Sequence, residues 1–415
     1  MSEPSIVSSP IDPFFEFVPD GEWNACVGLQ GSDVNYVDGY MEAARELAAA
    51  VIDKRLIASR DTLAMPILYN CRHAIELSLK FAIERLYRIG MLATEHPVNH
   101  DILSHWHHLR DGGIGDAKLV QLIAELEPFV TSLAGIDEDG QQLRYARTRE
   151  GAQSLGGIAV INLPLIRHSI DQLSAILDHI KYRVFDLEEE RATGTHTGEC
   201  SRSDLEEIAR IVGPHATWRD ASFDEKKRLV MDRFGLSSRK FSAALGTIRA
   251  SRPLAALVEL ETDLAYVSDE KAIGALELWA KAHPIRKENP KELGTDYFNR
   301  DRRRMKEHAH AMQELIGGIQ ALLSLEELSD LETLFYIGRD GVSGEHYQEK
   351  LTNTIAAQRL ADPYGTIHHI MSKSNLLDCV CTGAVAAGRP SLSEKLKLIR
   401  RPEEQSVGVE DAHLD

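Results

Sequence analysis

Apolar residues recur at helical spacing along most of the chain. Around YNCRHAIELSLKFAIERLYRIG, residues 69–90, the positions Leu68, Cys71, Ile75, Leu79, Ala82 and Leu86 form one stripe, as on an amphipathic helix with one buried face. Pro66 stands just ahead and is read as the first turn of that helix, a position where proline is tolerated. The same period predicts helices over DGYMEAARELAAAVIDKR, HDILSHWHHLRD, GDAKLVQLIAELEPFVTSLAGID and INLPLIRHSIDQLSAILDHIKYRVFDLEEE. It resumes in FDEKKRLVMDRF, SSRKFSAALGTIR, DEKAIGALELWAKA, FNRDRRRMKEHAHAMQELIGGIQALLSL, ELSDLETLFYIGR and residues 391–400. Val-rich alternation is rare, so the expected fold is mostly α.

Breaks in the pattern divide the chain. Residues 1–37 are rich in Pro, Ser, Asp and Gly, with FFEFV as a short strand or docking segment. Residues 38–190 form a first helical bundle. RATGTHTGECSRS, residues 191–203, has no apolar face and is read as a linker. Residues 204–400 form a second all-helical domain, and 401–415 an acidic tail. Ser203 with Glu206 and Ser222 with Glu225 have capping-box spacing, each marking a helix start.

The net charge of −17 argues against a general nucleic-acid coat protein, although a local basic cleft is compatible with it. Five irregularly spaced cysteines fit free thiols in a reducing cytoplasm better than a disulfide frame. No signal peptide and no run of about 18 apolar residues is apparent, so neither export nor membrane insertion is expected. His96, His100, His105, His107 and His108 crowd one segment, and His368, His369, Cys379 and Cys381 another. Neither set matches a standard zinc frame, and no metal or cofactor is expected. Nucleotide-binding loops, the Ser nucleophile elbow and HExxH are missing from the sequence.

The polar side of the 69–90 helix is ordered. Arg72, Glu76 and Lys80 lie one turn apart, with His73 beside the first. Such a row is either a solvated ladder of ion pairs or a surface for phosphates or a second copy. RLVMDRFGLSSRKFSAALGTIR has the form of a helix-turn-helix, with Gly235 ending one helix and Ser237 or Ser238 capping the next. It reads equally as a packing unit.

The pattern Arg72-His73-x-x-Glu76-x-x-x-Lys80 resembles the HEPN superfamily of prokaryotic helical bundles. The short helix starting at His100-Asp101 with Trp106 and Leu109, the Leu143-Arg144-Tyr145 segment, and the last helix introduced by Ile161-Asn162-Leu163 fall in a matching order. The resemblance spans residues 38–190. It implies a four- or five-helix bundle that often dimerises, and metal-independent ribonuclease activity in toxin or anti-phage systems. The family's signature, an Arg with a His four to six residues later on the last bundle helix, is replaced here by adjacent Arg167 and His168. Such spacing occurs instead at Arg303 and His308, beside Arg302, Arg304 and Lys306. The expected function is therefore RNA-directed. Arg303 and His308 are the first catalytic pair and Arg72 with His73 the second; Arg binds phosphate and His moves a proton. Arg72, His73, Glu76, Lys80, Arg144, Tyr145, Arg302, Arg304 and Lys306 would meet the RNA. The alternative is a non-catalytic module that dimerises and recruits a partner protein.

Overall fold

The computed structural model describes residues 14, 21–96, 98–148, 150–284 and 297–399, with 297–304 described by backbone alone. FFEFV, apart from Phe14, and the acidic tail lie outside these residues. The described chain is mostly α: sixteen α-helices and, beyond one isolated bridge between Arg147 and Gln153, no β-structure. It divides into two compact units, Met1–Ile114 with Lys118–Val184, and Gly115–Ala117 with Phe185–Asp415.

The first unit is built from α1 (Asp33–Asp53), α2 (Arg60–Arg88), α3 (Ile102–Asp111), α4 (Ala117–Ile136) and the larger part of α5 (Leu163–Ala192). Val37, Met41, Ala44, Ala48 and Val51 of α1 are buried, as is the predicted α2 stripe of Cys71, Ile75, Leu79, Ala82 and Leu86. Helix α2 starts six residues before Pro66, so the proline sits inside the helix and not in its first turn. That removes one ladder hydrogen bond, which the neighbouring turns tolerate. Asn162 caps α5 through its Oδ1, which accepts from the Leu165 amide at 3.0 Å. Lys181 of α5 reaches back to Asp38 of α1 at 2.6 Å. By length and composition α4 could cross a membrane, contrary to the sequence expectation. Its Leu119, Leu122, Ile123, Leu126 and Val130 are buried in the unit, and the Trp106 indole donates to the Ile123 carbonyl at 2.7 Å.

The second unit contains two cores. Helices α6 (Arg202–Val212), α7 (Phe223–Phe234), α8 (Ser238–Ala250) and α9 (Arg252–Leu257) close around Leu205, Ile208, Val230, Phe241 and Ile248. The α6 capping box is Ser201 with Asp204, two residues ahead of the expected Ser203 and Glu206. Ser203 falls inside the helix, and its hydroxyl and amide both bind the Glu190 carboxylate. Ser222 precedes α7 but has helical dihedrals and makes no side-chain cap, so the second expected box does not form. Residues 193–201, expected as linker, make hydrogen-bonded turns with Thr195, Cys200 and Ser201 buried.

The other core collects α10 (Asp269–Ala282), α11 (Tyr297–Leu322), α12 (Leu325–Asp340), α13 (Tyr347–Gln358), α14 (Pro363–Met371), α15 (Leu376–Ala386) and α16 (Pro390–Leu396). Helix α12 runs through its middle, and every residue from Leu328 to Phe335 is buried, including Ser329, Asp330, Glu332 and Thr333. Asp330 is satisfied by the Tyr347 hydroxyl at 2.6 Å and the amides of Tyr266 and Val267. The small residues of α15 have a purpose here: a Cβ at Gly383 would lie 1.9 Å from the Leu334 carbonyl oxygen of α12.

Candidate active site

Three elements of the first unit converge on the ordered face of α2: α2 itself, the start of α3, and the turn that follows α4. The Arg72 side chain, expected on the surface, is 1% exposed. Its Nε donates to the Asp137 carbonyl at 2.7 Å, and Nη2 donates to the carbonyls of His100 at 2.6 Å and Glu138 at 2.9 Å. Nη1 donates to Glu76 Oε2 at 3.2 Å. The Asp137 carboxylate, fully buried, lies 3.8 Å from Arg72 Nε and accepts from the amides of Gln142 and Leu143. A guanidinium committed in this way holds the fold together and presents no free fork to a phosphate. The expectation that Arg72 binds phosphate or forms a catalytic pair with His73 is corrected accordingly.

Glu76 is the second centre and is 2% exposed. Its Oε1 accepts from Lys80 Nζ at 2.7 Å and meets His100 Nδ1 at 2.8 Å; Oε2 faces Arg72 and, at 3.8 Å, His73 Nδ1. Burial works to raise the Glu76 carboxyl. Hydrogen bonds from His73, Lys80 and His100 outweigh it and hold the group well below the usual carboxylate range. Glu76 is thus a fixed anion surrounded by cations and imidazoles.

The accessible part of the cluster is His100, with a side chain 67% exposed. Facing the Glu76 anion, His100 Nδ1 is the donor, which leaves Nε2 as the ring nitrogen not committed to Glu76. Lys80 is one-third exposed beside it. Arg144 and Tyr145 are both exposed. Arg144 Nε donates to the Gly140 carbonyl at 2.6 Å, and its guanidinium lies 5.7 Å from the Tyr69 ring centre and 5.6 Å from that of Tyr145. His73 is held between rings, edge-on to Tyr40 at 4.3 Å and stacked on Tyr69 at 5.6 Å. His73 links the two groups, facing Glu76 on one side and stacking on Tyr69, over which Arg144 lies, on the other. Arg72 and Glu76 are both buried, so Glu76, expected to meet RNA, is not open to it.

The expected pair Arg303 and His308 has a different setting. Both belong to α11, and five residues of helix turn their Cα positions about 140° apart. His308 is exposed, with its ring 6.2 Å from that of His283. Lys306 is exposed; the side chains of Arg302, Arg303 and Arg304 lie outside the described residues. His96 stacks on His105 and meets His108 edge-on, and burial presses His105 down to about 4. Among the described residues no group of His, Cys, Asp and Glu has the geometry to hold a metal ion.

Two residues escaped the sequence reading. His100 was noted as the start of a helix and as one of a histidine-rich segment, not as a partner of Glu76, and Asp137 not at all. They are 24 and 61 positions beyond Glu76 in sequence. The local cues were His100 directly before the Asp101 N-cap and the Asp-Glu-Asp-Gly turn closing α4. Comparison with family models, curated proteins and solved structures finds no match to this chain.

Proposed function

We propose that the first unit is an RNA-directed module of HEPN type that cleaves phosphodiester bonds without a metal. His100 is its proton-transfer residue. The observation that carries this is the 2.8 Å contact between exposed His100 and buried Glu76. A buried carboxylate that orients an imidazole and stabilises its cation is the arrangement general-base catalysis needs. His100 Nε2 takes the proton of a ribose 2′-hydroxyl. The 2′-oxygen bonds to the adjacent phosphorus, the bond to the 5′-oxygen breaks, and that oxygen leaves with a proton from water. Lys80 and Arg144 supply positive charge for the phosphate, and Tyr145 a face for a base. The sequence resemblance supports a setting in bacterial defence or toxin biology, in a homodimer of the cytoplasm. The five free cysteines fit a reducing compartment.

A second reading rests on the burial of Arg72 and Glu76. In it, the cluster only ties the bundle, and the unit binds RNA or a partner protein without chemistry. Labelled RNA incubated with the protein and EDTA separates the two. Cleavage that leaves 2′,3′-cyclic ends and disappears in His100→Ala, while persisting in His308→Ala, is the expected result. Intact RNA in every lane, with unchanged RNA retention by His100→Ala, would favour the second reading. Cleavage lost in Arg303→Ala and His308→Ala, and kept in His100→Ala, would move the site to α11.

A further inference from the structure

The helices α7 and α8 present a surface that the function proposed for the first unit does not use. Gly235 ends α7 in the left-handed conformation, with φ +62°, and Ser237 caps α8 by accepting from the Lys240 amide at 3.4 Å. The turn between the helices is three residues long, and its middle residue, Leu236, is buried. With Val230 of α7 and Phe241, Ala244 and Ile248 of α8, Leu236 packs on Leu205, Ile208 and Val212 of α6. This is a three-helix support holding two helices across a tight glycine turn.

At about 100° per residue, the buried positions of α8 leave Arg239, Ser242, Ala243, Gly246 and Arg249 together on the opposite side. Arg239, Ser242, Ala243 and Arg249 are exposed, and Gly246 is half-buried. The middle of the stripe is small and its ends are cationic. Arg239 and Arg249 lie about 15 Å apart along the helix at 1.5 Å per residue. Neither makes a hydrogen bond or ion pair among the described residues, whereas neighbouring Arg233 and Lys240 are paired with Glu207 and Glu199. Residues 223–250 carry seven Lys and Arg against three Asp and Glu, a local +4 in a chain of net −17.

We propose that α7 and α8 form a duplex-DNA-binding helix-turn-helix, with the exposed face of α8 entering the major groove. Small side chains let a helix backbone come close to base edges, and the two arginines reach the guanine edges or phosphates at either end. The deep, narrow groove of an RNA duplex would not admit the helix. A protein partner is less suited to this face, which offers no large apolar side chain.

The full-length protein is titrated into a fluorescein-labelled DNA duplex with a randomised central segment, and anisotropy is followed over a salt series. Binding to DNA over an RNA duplex of the same length is expected. Arg239→Ala and Arg249→Ala should each weaken it roughly tenfold and lower the salt slope by about one. Both side chains are exposed and without partners, so the melting temperature should not change; Ser242→Arg, which fills the stripe, provides an independent loss of binding. No DNA binding at low salt, affinity indifferent to all three substitutions, or equal affinity for the RNA duplex would each overturn the proposal.

Discussion

Arg72 and Gly140 are fitted to each other: a Cβ at position 140 would sit 2.9 Å from Arg72 Nη1, and the residue's φ of +76° is one that side chains resist. Gly140→Ala therefore meets both backbone strain and a buried guanidinium. It should lower stability by about 1–3 kcal/mol, measured by urea unfolding. An unchanged midpoint would mean that the turn can move away from Arg72.

Removing the guanidinium should cost more. Arg72→Met leaves the carbonyls of His100, Asp137 and Glu138 without their donor and takes one cation from buried Glu76, a loss of about 3–5 kcal/mol. Arg144→Ala, at an exposed site, should change stability by less than about 1 kcal/mol. If Arg72→Met instead kept its stability and lost only RNA binding, the guanidinium would be part of the binding surface after all.

The depressed Glu76 carboxyl carries a sign. A group held more acidic in the folded state stabilises the fold above its unfolded pKa, near 4.3, and that contribution is lost as pH falls through the folded value. Stability of the protein should therefore decline on the acid side, and Glu76→Gln should flatten the decline while lowering stability at pH 7. An acid limb with the same slope in Glu76→Gln would assign the loss to other carboxylates.

Asp204 works in the opposite direction. Burial first, and then the neighbouring Asp116, push its carboxyl up from 3.8 to about 6, against hydrogen bonds from Ser201 and Ala117. Its protonated form favours folding, so this contribution is complete below about pH 4 and is lost as pH rises through about 6. The loss is on the order of 3 kcal/mol. Asp204→Asn should remove most of that dependence in unfolding free energies taken between pH 4 and 7. A dependence that survives the substitution would point to another buried acid, such as Glu332.

The helices were legible because their apolar stripes bury, as the α2 stripe from Cys71 to Leu86 does. Their ends were less so. Ser203 and Glu206 have the right spacing for a cap, but Ser201 and Asp204 have it too, and theirs is the box that forms, its acid also accepting the Ala117 amide. The row Arg72, Glu76, Lys80 was visible, yet its environment was not. Whether a row on a helix meets water depends on what covers it, and the cover here comes from residues 100 and 137–140. His100, the one exposed imidazole on Glu76, could be ranked above the other histidines only after that distant pairing was known.

The middle of helix α12, buried without a break from Leu328 to Phe335, has a kinetic consequence. Fraying of the helix ends should leave the amides between Leu331 and Phe335 covered, because all five residues are buried in the α10–α16 core. Their exchange with deuterium waits for the whole α10–α16 core to open, so these few amides, followed by mass spectrometry, read the opening free energy of that core directly.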